Sequence, residues 1–254
     1  MGVDDFYIYA TSRTDDVTSE NTSSMFTNIL PKKYHMEGDN WYCALKEVHF
    51  PTEWLTLTAD DAYFEVAVGN SVAHAEIDPG HYTSCEELCS KVSGALRRAL
   101  EVDPRYTPTH NRISFQRDTR RSHFILDTGV ALRMRAHLAA MMGFRPESTT
   151  IKAGVTFSPR AMDITGGIDN FYVYANFVTT RIVGNVDVPL LRIVPLKMYK
   201  GCRYMEYDQP SYMKVNTQEL NSINILVVDS VARYIPFTMG ETTMLLHFTR
   251  MNFD

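Results

Sequence analysis

The chain has 254 residues, of which 44% are hydrophobic and 22% are charged, and its formal net charge is −5 at pH 7. These are ordinary proportions for a globular protein, and the length suits one large β-sandwich or two small domains. Nucleic-acid coating depends on Lys and Arg side chains that neutralise phosphates. We therefore expect nucleic acid not to be the main partner of this acidic chain.

The charge is distributed unevenly along the chain. Residues 1 to 65 contain twelve acidic and four basic side chains, whereas residues 97 to 145 contain four acidic side chains and ten arginines. Such an asymmetry between segments is informative about interaction surfaces rather than about the fold.

Short stretches rich in aromatic and β-branched residues recur along the chain, and Gly- or Pro-containing turn sequences separate them. This pattern, with 14 Tyr and 13 Phe, predicts an all-β fold built as a β-sandwich. The predicted strands are Phe6–Ala10, Trp41–Phe50, Tyr63–Val68, Arg112–Gln116, His123–Leu126, Phe171–Val178, Leu190–Leu196, Ile223–Val228 and Thr243–Phe248.

Two short helices are predicted within this mainly β pattern, near residues 84–101 and 129–142. Ser84 and Glu87 have the spacing of a capping box at the start of the first helix. An apolar stripe that includes Met134 and Leu138 indicates the second helix, and Gly143 is a suitable C-terminal stop. Residues 1–24 are expected to form a flexible polar arm or loop, and residues 25–254 a single domain, because no boundary is visible.

Alternation along the predicted strands indicates which side chains point into the sandwich. We expect one structural core that contains Trp41, Leu45, Val48, Val173, Leu191, Ile193, Ile225 and Leu246.

The search for catalytic chemistry finds no phosphate-binding Gly-rich loop, nucleophile elbow or H-E-x-x-H motif. No two of the eight histidines are two, three or four residues apart, so the H-x-H pair of a metal-binding cupin is missing. We expect no enzyme activity, cofactor or metal, although the Asp4–Asp5, Asp15–Asp16 and Asp60–Asp61 pairs leave a calcium site open. The four cysteines are expected to be reduced and buried, and no apolar run is long enough to span a membrane.

A cluster of arginines with a neighbouring histidine, His123, stands out in the middle of the chain. It forms either a phosphate- or partner-binding patch or a solvated hairpin loop. The run Arg117–Arg121 contains no interleaved aromatic platform of the kind that single-strand binders need. We treat these arginines as candidate subunit-interface residues: Arg112, Arg117, Arg120 and Arg121.

Two parts of the chain resemble the minor capsid, or penton, proteins of Polinton (Maverick) elements and adintoviruses, and together they cover more than half of its length. The first part carries Asn21, Thr22, Phe26, Leu30, Pro31, Gly38, Trp41, Ala44, Leu45, Glu47, Val48, Pro51 and Trp54. The second carries Phe171–Tyr174, Val183, Gly184, Val188–Arg192, Val194, Pro195, Pro210, Tyr212, Ile223, Ile225, Asp229, Ile235–Phe237, Gly240 and Leu246–Phe248. Residues 60 to 165 match only loosely.

The resemblance implies a single jelly-roll β-sandwich that forms homopentamers at the fivefold vertices of an icosahedral particle, surrounded by double-jelly-roll major capsid proteins. It also implies a location in the virion, after synthesis in the reducing cytoplasm or nucleus of a host cell rather than secretion. A ring needs two different faces on each subunit. The acidic N-terminal third and the arginine-rich middle are our candidates for these faces.

Other functions stay open at this stage. A carbohydrate- or receptor-binding jelly roll would need exposed aromatic and carboxylate side chains, for which Trp54 and Tyr82 are the candidates. A metal-dependent enzyme would need ligands that converge from distant positions. A host-domesticated copy of the transposon gene would keep the fold with a new role.

Overall fold

The structure is a computed structural model that describes residues 5–13, 20–38, 40–101, 110–145, 150–196 and 204–251. Its contacts divide the chain into two compact units. The first unit consists of residues 1–54 and 168–254, and the inserted unit consists of residues 55–167. The sequence shows no boundary within residues 25–254, whereas in the structure residues 55–167 bury a core of their own.

The secondary-structure elements are numbered along the chain. The first unit begins with β1 (Asp5–Thr11), β2 (Met25–His35) and β3 (Trp41–His49). The inserted unit contains β4 (Tyr63–Val68), β5 (Ser71–Glu76), α1 (Cys85–Glu101), β6 (Arg112–Gln116), β7 (Arg121–Leu126), β8 (Val130–Met134), α2 (Ala136–Met141), β9 (Thr150–Ile151) and β10 (Gly154–Phe157). The first unit resumes with β11 (Asn170–Ala175), β12 (Arg181–Val183), β13 (Val186–Val188), β14 (Leu190–Pro195), β15 (Tyr204–Glu206), β16 (Met213–Lys214), β17 (Glu219–Val228) and β18 (Thr243–Arg250).

In the first unit β12 pairs with β13 as a separate hairpin, and two larger antiparallel sheets form the sandwich. One has the order β1-β18-β3-β15, with β16 also paired to β3, and the other has the order β14-β11-β17-β2. Apart from the β11–β14 and β15–β16 pairs, consecutive strands of the sandwich pass from one sheet to the other, and the last long strand returns beside the first. This is the strand order of a jelly roll, which consists of two Greek keys. The predicted fold class, a mainly β protein with a jelly-roll β-sandwich, is confirmed.

The core of the first unit lies between its two sheets. In the register of the first sheet, Phe6 lies opposite Phe248 and Ile8 opposite Leu246, and these inward side chains meet those of the second sheet. Seven of the eight side chains that the sequence assigned to the core are at most 4% exposed. They are Trp41, Leu45, Val48, Val173, Leu191, Ile225 and Leu246.

Ile193 is the exception, because 40% of its surface is exposed. The pairing of β11 with β14 shifts between Val173 and Tyr174, so that β14 contains one extra residue at this point. A β-bulge of this kind moves the residues beyond it to the opposite face. Ile193 therefore lies across from Tyr172, whereas Val194 lies across from the buried Phe171.

Within the segment expected to be an arm, the structure contains the strand that the sequence predicted over Phe6–Ala10. Residues 5–11 of the expected arm form β1, which pairs with β18 over its whole length, and Ser24 is buried. Residues 1–4 and 14–19 lie outside the described residues. The longest strand, β2, was not predicted, because Pro31 interrupts its pattern; an edge strand accepts proline, which cannot donate to a neighbour.

The inserted unit is built around α1, which packs against short sheets of the order β5-β4-β8-β9 and β10-β7-β6. The helix buries Leu88, Val92 and Leu96 at helical spacing. Its predicted N-terminal cap is present, since the Glu87 N–H donates to Ser84 Oγ at 3.1 Å. The first predicted helix therefore forms where the sequence placed it.

The second predicted helix, over residues 129–142, is wrong in its first half. Residues 130–134 form β8, in which Val130, Leu132 and Met134 alternate into the core, and only residues 136–141 are helical. A five-residue run with apolar residues at every second position satisfies the strand period, and pairing with β4 decides in its favour. The predicted stop is present, since Gly143 has a φ of +87°.

Candidate interaction surfaces

The sheet of β6, β7 and β10 exposes one side, which we call the arginine face. Its outward rows follow from the register: Arg112, Ile125 and Val155 in one row, Ser114, His123 and Phe157 in the next, then Gln116 and Arg121. The intervening side chains, such as Phe124 and Ile113, point into the core of the inserted unit. The face therefore has an apolar and aromatic centre between two arginines.

The centre of the arginine face is a preformed aromatic pair. The rings of His123 and Phe157 stack with centroids 4.3 Å apart and planes 9° from parallel. Phe157 is 45% exposed and Val155 is 65% exposed. None of the described residues in the outward rows is a carboxylate. The surface thus offers stacking and positive charge together.

The four arginines do not act as one cluster. Arg112 and Arg121 lie on the arginine face, four residues apart in register and hence roughly 13 Å along the strands. Arg117 and Arg120 lie in the β6–β7 turn instead. Arg117 Nε lies 3.0 Å from Glu86 Oε1 on α1, and the Arg120 carbonyl accepts from the Met162 N–H at 2.8 Å. In the structure, therefore, two of the four arginines lie outward on the arginine face and two lie in the turn, and their place in a subunit interface stays a prediction.

The first sheet of the first unit also exposes one side, which we call the tyrosine face. The residues that alternate with the core side chains of β1 are Asp5, Tyr7 and Tyr9. Tyr7 is 53% exposed and Tyr9 is 72% exposed. In the row of Tyr9, β3 and β15 add Glu47 and Glu206, and in the next row, that of Thr11, they add His49 and Tyr204. Among the described residues, Lys214 contributes a basic side chain at one margin, opposite Tyr42.

His247 fixes the centre of the tyrosine face. Its Nε2 lies 2.6 Å from Asp5 Oδ1 and its Nδ1 lies 2.7 Å from the Tyr212 hydroxyl. The Tyr7 ring stacks on the imidazole, with centroids 4.4 Å apart and planes 8° from parallel. Three partners therefore hold one ring, and Tyr7 is presented to solvent in a defined orientation.

An open groove of about 740 Å³ lies between α1 and β6, and Cys89 is one of its lining residues. Burial raises the pKa of Cys89 to about 12, and burial also raises the pKa of Cys85. Both side chains are therefore neutral thiols rather than nucleophilic thiolates near neutral pH. Together with Cys43 they are buried and unpaired, as predicted, and Cys202 lies outside the described residues.

The described residues contain neither a metal-binding cluster nor a membrane-spanning helix. No group of three or more His, Cys, Asp or Glu side chains in them could hold a metal ion. No helix in the described part of the chain is long and apolar enough to cross a membrane.

The two aromatic residues suggested for glycan binding are not exposed platforms. Tyr82 is 5% exposed, its hydroxyl donates to the Asp78 carbonyl at 2.5 Å, and burial raises its pKa to about 12. Trp54 packs edge-on against Phe171, with centroids 5.5 Å apart. The exposed aromatic and carboxylate set lies on the tyrosine face instead.

The aromatic half of the arginine face was not predicted from the sequence. Phe157 is more than thirty residues from Arg121 in the sequence, and only the pairing of β10 with β7 brings it beside His123. The available signal was short, namely the alternation of Val155 and Phe157 after Gly154. Such a four-residue pattern predicts a strand but does not indicate which strand it pairs with.

The fold of this chain is similar to that of the mavirus penton protein. The crystal structure of that protein matches with a TM-score of 0.52, covering 97% of this chain and 99% of that chain, at 9% sequence identity. No protein-family model and no curated protein matches this chain in sequence. The likeness therefore concerns the fold, and it extends across both units.

Proposed function

We propose that this chain is a structural capsid protein that forms the pentameric subunit rings at the fivefold vertices of an icosahedral particle. The observation that carries the proposal is the fold shared almost end to end with the mavirus penton protein. A shared fold alone does not assign a function, so the exposed surfaces supply the second argument.

The surfaces suit assembly better than catalysis. The arginine face and the tyrosine face combine exposed aromatic side chains with charge, and Tyr and Arg are the residues that dominate binding energy at protein interfaces. They are also different from one another. A ring is built from such a heterologous pair of faces, in which one face of each subunit meets the other face of the next.

The remaining partners follow from the resemblance. Double-jelly-roll major capsid proteins surround each ring, and the assembled location is the virion. Arg112 and Arg121 belong to a subunit interface in this proposal, and Arg117 and Arg120 shape the turn beside it. No catalytic role is assigned to the chain.

Native mass spectrometry of the purified chain tests the proposal. The expected species is five copies of the 29.0 kDa chain, and negative-stain images of the same sample should show fivefold rings. A chain that stays monomeric at all accessible concentrations, or that forms closed assemblies of another number, contradicts the proposal. A glycan array on the same sample tests the carbohydrate-binding alternative, which predicts saccharide binding by a monomer.

A further inference from the structure

The two exposed faces have matching layouts, although they lie on different units. On the arginine face, Arg112 and Arg121 flank the row of His123 and Phe157. On the tyrosine face, Asp5 and Glu47 flank the row of Tyr7 and His247. Along the strands, each face thus has a charged residue, then an aromatic row, then a second charged residue. The charges are positive on the arginine face and negative on the tyrosine face.

The spacings of the charges also agree. In both faces the flanking residues are two outward rows apart, which corresponds to roughly 13 Å along the strands. Asp5 and Glu47 are separated further by two strand spacings, and Arg112 and Arg121 by one, since neighbouring strands lie about 4.8 Å apart. The charge separations on the two faces are therefore roughly 16 Å and 14 Å.

We infer that the arginine face of one copy docks onto the tyrosine face of a second copy of this chain. This inference rests on the proposed function and names the two surfaces that meet in the ring. The aromatic rows lie against each other at the centre, where Arg and Tyr side chains also form cation–π contacts. The carboxylates and arginines at either end fix the register of the contact.

Both faces are prepared for this contact before it forms. The stack of His123 and Phe157 orders one centre, and the contacts of His247 with Asp5 and Tyr212 order the other. Side chains that are already held in place lose less conformational entropy on binding. The docking partner of each face is the other face, so each copy has one of each and the contact can repeat around a ring.

Truncation of each face separately provides the test. One variant loses the tyrosine face (Asp5→Asn, Tyr9→Ala, Glu47→Gln), and the other loses the arginine face (Arg112→Ala, Arg121→Ala, Phe157→Ala). Each variant alone should raise the concentration at half-assembly by at least about tenfold, as expected for loss of interface anchors. A matched control replaces an exposed tyrosine and an exposed arginine elsewhere (Tyr234→Ala, Arg133→Ala) and should assemble as the parent does.

Mixing the two variants gives the decisive result. The intact arginine face of one can bind the intact tyrosine face of the other, but the resulting pair has no second intact face to continue the ring. Native mass spectrometry should therefore show one-to-one dimers that grow no further. Circular dichroism of each variant and its melting curve establish that the chains are folded.

The outcomes separate this inference from the proposed function. Pentamers from either truncated variant at the parental concentration contradict the pairing of faces while the pentamer stands. Mixed variants that are folded but remain monomers also contradict the pairing. A parent chain that forms rings of another number, with capped dimers in the mixture, contradicts the pentamer and supports the pairing.

Discussion

The first unit and the inserted unit bury their cores in different ways. In the first unit, most of the buried side chains alternate along strands that are six to eleven residues long. In the inserted unit, one helix supplies eight buried residues and covers sheets of shorter strands. In the first unit, the effect of a substitution on stability therefore depends mainly on which face of its strand the residue occupies. In the inserted unit, helix caps and turns contribute more to stability.

The largest loss of stability is expected from substitutions in the core of the first unit. Leu191→Ala and Leu246→Ala should each lower the free energy of unfolding by about 2–5 kcal/mol, because both residues are fully buried between the sheets and leave a cavity. Chemical denaturation followed by fluorescence measures the change. Ile193→Ala, two positions along the same strand, is the matched control and should change it by less than about 1 kcal/mol. Equal effects at positions 191 and 193 would mean that the bulge is misplaced.

The next largest loss of stability is expected from a glycine substitution in the inserted unit. Gly143 has a φ of +87°, and an added Cβ would lie 2.4 Å from the Arg160 carbonyl oxygen. Gly143→Ala should therefore lower the melting temperature, through a backbone penalty of roughly 1–2 kcal/mol and an additional steric clash. Gly129→Ala is its control, since Gly129 has a φ of +86° but no atom within 4 Å of the added carbon. If both variants melt alike, the close approach to Arg160 is absent.

Loss of the N-terminal cap of α1 should reduce stability by a smaller amount. Ser84→Ala removes the acceptor for the Glu87 N–H and should lower the free energy of unfolding by about 0.5–2 kcal/mol. Ser84→Asp keeps a capping oxygen and should retain most of the stability. Urea titration compares the two, and the same loss in both variants would argue against a capping role.

The smallest effect is expected at the turn arginine. Arg117→Ala breaks its ion pair with Glu86, but the Arg117 side chain is 83% exposed. Exposed pairs of this kind contribute about 0–1 kcal/mol, so the melting temperature should hardly change. A marked loss of stability would show that the turn needs this contact.

The sequence predicted the first unit better than the inserted unit, for a physical reason. Long strands repeat their alternation often enough to identify the inward face, so seven of the eight core residues are buried as expected. The failure at Ile193 comes from a bulge, which depends on the partner strand and leaves no mark in the strand itself. The missed β2 follows from Pro31, whose tolerance depends on the strand being at an edge.

The surfaces were harder to predict than the core. The charge asymmetry identified the arginine-rich segment, but it did not separate Arg112 and Arg121 from the turn residue Arg117. That separation depends on which side of a strand each position takes and on the location of α1. In the tyrosine face, β18 connects β1 to β3 and β15, although β18 begins only at Thr243. No local pattern contains that information.

The inserted unit leaves the jelly roll and returns to it at two neighbouring positions. It departs after Trp54 and returns at Ile168, and the Trp54 ring lies 5.5 Å from that of Phe171. The two ends of the excursion therefore lie side by side on one scaffold. Joining such ends costs free energy that grows only with the logarithm of the length between them. A change in the length of residues 55–167 should therefore cost the jelly roll little free energy of loop closure.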